Sequence, residues 1–127
     1  MPHLTTVLLR HDTRHAAHYD WLFQPPAALG VPNVPLWSAR VTHPSWCWPI
    51  TRHWPVHQFD DHRYAYLAYQ GPISGDRGSV KRIDIGHVRP ILWSASRIVL
   101  NLQFQHCVGL VRLDRITGPH WRAQLLD

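Results

Sequence analysis

The sequence predicts an all-β domain: a small closed or partly closed β-barrel of about eight strands with one short helical segment. Three observations carry this. Apolar residues recur at every second position, most clearly in Trp37-Ala39-Val41 and Ile98-Leu100-Leu102-Phe104, the period of a half-buried strand. Proline- and glycine-rich stretches separate these segments. So many short strands would leave exposed edges in an open sheet, and closing the sheet removes them.

In chain order the strands are "TTVLLR" (5–10), "HYDWLF" (18–23), "VPLWSARVT" (34–42), "PVHQF" (55–59), "SVKRIDIGHV" (79–88), "RIVLNLQF" (97–104), "VGLVRLD" (108–114) and "WRAQLL" (121–126). Turn signals lie between them in "QPPAALGVPNVP", "THPSWCWP", "QGPISGDRG" and "ITGPH". Only "DDHRYAYLAY" (60–69) suits a helical turn or two. No repeat, low-complexity tract or linker interrupts the chain, so residues 1–127 read as one domain.

With 127 residues, 45% of them hydrophobic, the chain can bury a core without disulfide staples. Cys47 and Cys107 could pair. The opening "MPHLTTVLLR" lacks a signal-like apolar run, however, so reduced thiols in the cytoplasm are expected. No segment approaches membrane-spanning length. Lys and Arg outnumber Asp and Glu by 13 to 8, for a net charge of +5, and all but one of the cations are arginines. Arginine's planar fork suits phosphate, so an anionic partner is indicated, with nucleic acid first. A GC-rich genome would also raise arginine, so charge needs a site beside it.

The stretch "RHDTRHAAHYDWLF" (10–23) is the first candidate site. On a strand, His18 and Asp20 share one face while Tyr19 and Trp21 take the other. A turn through "DTRHAA" brings His11 alongside them. Two imidazoles and a carboxylate can hold Mn, Fe, Co, Ni or Zn with coordination positions open. The alternative is a polar strand edge in a histidine-rich chain. His15 reads as a solvated loop residue, and Asp12 as a turn residue or a support for the ligands.

The second candidate is "DDHRYAYLAYQGPIS" (60–74), where His62 and Tyr66, four apart, would sit side by side on one helical turn. Both can donate to an anionic oxygen. The glycine-rich "QGPISGDRGSV" that follows lets backbone N–H groups approach a ligand. Alternatively, Tyr64, Tyr66 and Tyr69 form an amphipathic aromatic face.

Together the two stretches resemble the 3′-phosphoesterase module of bacterial DNA ligase D, a family that includes small stand-alone proteins. Its opening pattern, K-H-D-A-x-x-L-H-Y-D-F-R-L, is similar to "RHDTRHAAHYDWLF", with one extra residue between the histidines. Its later pattern, E-D-H-P-x-x-Y-x-x-F-E-G-x-I-P, aligns with "DDHRYAYLAYQGPIS", and its G-x-G-x-V with "GDRGSV", shortened. The resemblance implies metal ligands at His11, His18 and Asp20, usually for Mn²⁺, with Zn²⁺ or Co²⁺ as alternatives. It implies phosphate-binding and catalytic roles for His62 and Tyr66. The activity implied is removal of a 3′-terminal ribonucleoside and then a 3′-phosphate from DNA ends. The implied partners are DNA 3′ ends and a separately encoded ligase or polymerase, with the protein a monomer.

That chemistry suits these residues. Phosphoester hydrolysis needs a Lewis acid and an activated water, donors for the charge of the transition state and a proton for the leaving oxygen. The chain departs from the family at two positions: Leu22 replaces an arginine that acts at the phosphate, and Leu9 replaces a glutamine. Arg10, Arg14, Arg40, Arg52 and Arg77 are candidate replacements. Two other readings stand beside the enzyme. One is an end-binding module of the same fold with weakened or lost catalysis. The other is a non-haem iron oxygenase-like barrel in which His87 or His106 completes a triad with His18 and Asp20. Trp46, Trp48 and Trp54 could stack on bases, though core or loop packing is the expectation, with Cys47 buried among them.

Overall fold

Alternation along the chain becomes strand pairing in a computed structural model of the protein, which describes residues 4–126. The strands are β1 (Leu4–Asp12), β2 (Ala17–Phe23), β3 (Leu36–Val41), β4 (His53–His62), β5 (Gly71–Pro72), β6 (Ser79–Trp93), β7 (Arg97–Gln103), β8 (Val108–Thr117) and β9 (His120–Leu126). Eight of them run β1-β2-β3-β4-β9-β8-β7-β6, and β6 pairs back onto β1, closing an antiparallel barrel. All eight expected strands are present. The two-residue β5 is an addition, hydrogen-bonded to the start of β6.

The short helical content is as expected in amount, and its longest piece lies outside the expected stretch. "DDHRYAYLAY" forms only a single 3-10 turn, Tyr64–Leu67. The longest helical piece lies instead in "THPSWCWP", where the 3-10 turn Ser45–Cys47 runs into α1 (Trp48–Thr51). Its cause is tertiary. Proline in the first turn of α1 is compatible with helix. Trp48, fully buried, then plugs the barrel and stacks on Trp54 with ring centroids 4.2 Å apart. A buried carboxylate anchors this plug: Asp84 accepts from Ser45 Oγ at 2.6 Å and from the backbone N–H groups of Gln105 and His106.

Strand parity separates two cores. Trp21, Phe23, Trp37, Trp54, Leu100, Leu113 and Trp121 point inward and belong to the main core. The barrel is therefore filled by aromatic side chains. The opposite parity builds a second cluster on the outer wall: Val7, Leu9, Leu22, Leu36 and Val80, covered by Tyr66, Leu67 and Ile73. This outer cluster is what docks the 63–73 segment onto the barrel.

Of the three tryptophans considered for stacking, Trp48 and Trp54 are core residues, whereas Trp46 is 46% exposed and makes edge contacts with Tyr19 and His106. Cys47 is half-buried rather than buried, and both cysteines are free thiols. Burial, helped by the Asp84 carboxylate, pushes the Cys107 thiol up to about 11, so it is unreactive near neutrality. No helix among the described residues is long and apolar enough to cross a membrane.

Candidate metal centre and anion cleft

The β1–β2 hairpin assembles the first constellation. The turn is closed by Thr13 and Ala16, whose backbone N–H and carbonyl pair at 2.8 Å. His11 thereby falls directly opposite His18, and Leu9 opposite Asp20. Trp21 points inward, so His18 and Asp20 point outward with Leu22. The site lies on the outer wall of the barrel.

Three donor atoms converge there. His11 Nδ1 is 3.0 Å from His18 Nε2 and 3.5 Å from Asp20 Oδ2, and His18 Nε2 is 3.3 Å from Asp20 Oδ1. Ligands around one ion with bonds of about 2.1 Å stand roughly 3.0–3.5 Å apart, so these separations fit a shared divalent cation. His11 Nε2 donates to the Arg77 carbonyl at 2.7 Å, which leaves Nδ1 with its lone pair toward the cluster. Such a second hydrogen bond commonly orients a ligating imidazole. Asp20 Oδ1 is buried and accepts no hydrogen bond among the described residues. An unpaired buried carboxylate oxygen is costly unless a cation meets it. The donor set thus fits a metal, and no other such group occurs among the described residues.

The electrostatics agree. Burial, with the charges of Arg40 and His11, lowers His18 to about 4, so its ring is neutral and able to ligate near neutrality. Burial also pushes the Asp20 carboxyl above its ordinary range, against the opposing pull of His11, His62 and Arg40. A bound cation would relieve that burial cost.

The cluster opens into a cleft of about 280 Å³ whose other walls are Arg40, His57, Phe59 and His62. Arg40, on β3 opposite Asp20, is exposed and has no ion-pair or hydrogen-bond partner among the described residues. His62 arrives by a device different from the expected helical turn. β4 bulges so that Ser38 pairs with Phe59 but Leu36 pairs with His62, one residue more on β4 than on β3. The extra residue reverses parity and returns His62 to the face carrying His57 and Phe59. Ser38 Oγ, fully buried, accepts from the His62 N–H at 2.9 Å and fixes the bulge. His62 Nδ1 donates to the Asp60 carbonyl at 3.3 Å, leaving Nε2 for the cleft. Tyr66 stands edge-on to His62 with ring centroids 5.2 Å apart. It lines the adjoining depression over Arg63, Pro72 and Ile73 rather than the metal cleft.

The other arginines lie apart. Arg14 pairs with Asp76 at 2.8 Å, both strongly exposed, and Arg10 pairs with Asp12. The Arg77 guanidinium turns back to Ser74, so what this residue contributes to the cluster is its carbonyl. Arg52 caps α1 in a left-handed conformation and does not line the cleft. His87 and His106 do not join the cluster, so the triad that would recruit one of them is not assembled; the second imidazole is His11. His15 is exposed. Sequence reasoning missed His57 and Phe59. Their signal was the alternation in "PVHQF", which sets both opposite the buried Val56.

The two leucines at which the sequence differs from the pattern it resembles coincide in space. Leu9 and Leu22 both lie in the outer apolar cluster, 1% and 0% exposed, with Tyr66 packed over them. Together they form an apolar floor beside the donor cluster.

Gly78 sets the supporting hydrogen bond. Its φ is +88°, and a Cβ there would lie 1.9 Å from the Asp12 carbonyl oxygen. Gly78→Ala is expected to push the 74–78 loop, and with it the Arg77 carbonyl, away from His11. Stability should fall by roughly 1–3 kcal/mol in urea titration. Mn²⁺ affinity by calorimetry should fall about 10- to 100-fold. Wild-type metal affinity in a folded Gly78→Ala protein would refute this role.

No family model matches this chain, and no curated protein is significantly similar to it in sequence.

Proposed function

We propose that this protein is a metal-dependent phosphoesterase that processes DNA 3′ ends, removing a terminal ribonucleoside and the remaining 3′-phosphate during end-joining repair in the cytoplasm. One observation carries the reading. A three-donor cluster with an unpaired buried carboxylate oxygen shares a cleft with an unpartnered arginine and a histidine. The restriction to DNA 3′ ends rests on the resemblance to the ligase D phosphoesterase module and on the arginine-rich net charge of +5.

His11, His18 and Asp20 hold the ion, Mn²⁺ in first place, with Zn²⁺ or Co²⁺ as alternatives. A bound divalent ion supplies positive charge at the phosphoryl oxygens and acidifies water. Arg40 holds a non-bridging phosphate oxygen and offsets charge that grows as the phosphorus is attacked. His62, as the imidazolium with Nδ1 held by the Asp60 carbonyl, presents Nε2–H to the phosphate. It can pass that proton to the leaving oxygen as the ester bond breaks. Tyr66 packs against His62 and limits its motion. The test is incubation with a primer-template ending in a 3′-ribonucleotide or a 3′-phosphate. Mn²⁺-dependent conversion to a 3′-hydroxyl end is expected, and an unaltered end with every divalent metal would refute the enzyme.

A second reading, an end-binding module serving a separate ligase or polymerase, is favoured by the apolar floor of Leu9 and Leu22. In that case the protein binds the same DNA and changes nothing.

A further inference from the structure

A line of side chains leads away from the metal cluster across the outer wall. Asp20 pairs in register with Arg40, Arg40 with His57, and His57 with His120, over β2, β3, β4 and β9. The neighbours Ala39, Val41, Val56 and Trp121 are buried in the barrel, so Arg40, His57 and His120 point outward, and all three are exposed. We infer that Arg40, His57 and His120 form a second anion-binding track, which carries a polynucleotide strand away from the metal centre. This rests on the phosphoesterase reading and states where the rest of its substrate lies.

The track has the right chemistry. Beyond Asp20 the line itself contains no carboxylate; Asp60 and Asp61, both exposed, face the adjoining depression past Phe59 and Pro119, and Asp114 on β8 is paired with Arg97 at 2.6 Å and Arg112 at 2.9 Å. His57 Nδ1 and His120 Nδ1 face each other at 3.4 Å, with ring centroids 4.8 Å apart. In that hydrogen bond one Nδ1 donates and the other accepts. The accepting ring therefore carries its proton on Nε2, and that donor meets no other partner among the described residues. Phe59, half-buried beside His62 in the cleft, adds an aromatic surface next to the Arg40 guanidinium, the combination that binds single strands. With strands about 4.8 Å apart, the line extends roughly 14 Å, about four nucleotides at the duplex rise of ~3.4 Å.

The test measures binding of a short fluorescent oligodeoxythymidylate with a 3′-hydroxyl end, which offers nothing to cleave. The His57→Ala/His120→Ala double variant is expected to bind it roughly tenfold more weakly. Affinity for Mn²⁺ should stay within about twofold of wild type, since neither histidine is among the three donors, and His15→Ala, which removes an exposed imidazole outside the line, should change nothing. The track is overturned by unchanged oligonucleotide affinity, by an equal loss with His15→Ala, or by loss of bound Mn²⁺, which would make the pair metal ligands. Equal binding and equal loss with a poly-glutamate of matched charge would also overturn it. Failure to cleave blocked ends refutes the enzyme but leaves this result standing; an active enzyme with unchanged affinity refutes the track alone.

Discussion

His18→Ala is expected to abolish metal binding and 3′-end processing together, whereas His62→Ala should abolish processing and leave metal binding intact. His18 contributes one of three donors, and its Nε2 sits within 3.3 Å of both of the others. Its loss leaves His11 and Asp20 with a gap where a neutral imidazole stood. Loss of groups that merely orient ligands weakens metal binding about 10- to 100-fold, so removing a ligand should exceed that and bring turnover to background. His62 shares the cleft but is not one of the three donors, and the proposed mechanism places its work at the phosphate. Its loss should lower the rate about 10²- to 10⁴-fold, the usual range for a general acid. The two variants are separated by Mn²⁺ titration followed by electron paramagnetic resonance, alongside the 3′-blocked primer assay. Retained metal-dependent cleavage in His18→Ala would refute the site.

Leu22→Arg, which places at this position the arginine of the family the sequence resembles, is expected to unfold the outer wall rather than add an anion contact to the cleft. Leu22 is fully buried among Val7, Leu9, Leu36 and Val80, beneath Tyr66, Leu67 and Ile73. A guanidinium there has no carboxylate or amide within the cluster to receive it. An uncompensated buried charge costs about 3–5 kcal/mol, a large share of the stability of a small domain. Because the same cluster docks the segment carrying Tyr66, the edge contact between Tyr66 and His62 should loosen as well. Leu22→Met, close in volume, should cost less than about 1.5 kcal/mol. Urea denaturation of both variants checks the contrast. A Leu22→Arg protein of wild-type stability with faster cleavage would show that the apolar floor does not govern this site. With Leu22 apolar, Arg40 is the arginine that lines the cleft.

Much of this was legible in residue order. Period-2 alternation identified all eight barrel strands, because a strand with one wet and one buried face must alternate. The H-x-D spacing placed His18 and Asp20 on one face for the same reason, and the tight turn around Thr13 made His11 their neighbour. The expected helical turn forms within residues 60–69, as the 3-10 turn Tyr64–Leu67, but the longest helical piece lies elsewhere. "DDHRYAYLAY" has helical spacing, yet β4 extends through His62 before a single 3-10 turn forms. The "SWCWPIT" stretch becomes helical because Trp48 finds a hydrophobic socket at the barrel end, which no local propensity encodes.

By itself the sequence determined the β-class, the strand segments, the donor types and the surplus of arginine. These follow from side-chain chemistry and from a period that each strand carries within itself. Tertiary structure alone decided which arginine faces the metal cluster and that His57 and His120 meet from strands 63 residues apart. It also decided that one extra residue in β4 turns His62 toward the cleft, and that Leu9 and Leu22 merge into one apolar floor. Those outcomes depend on barrel closure and register between distant strands, and a shift of one residue would move every one of these side chains to the other face.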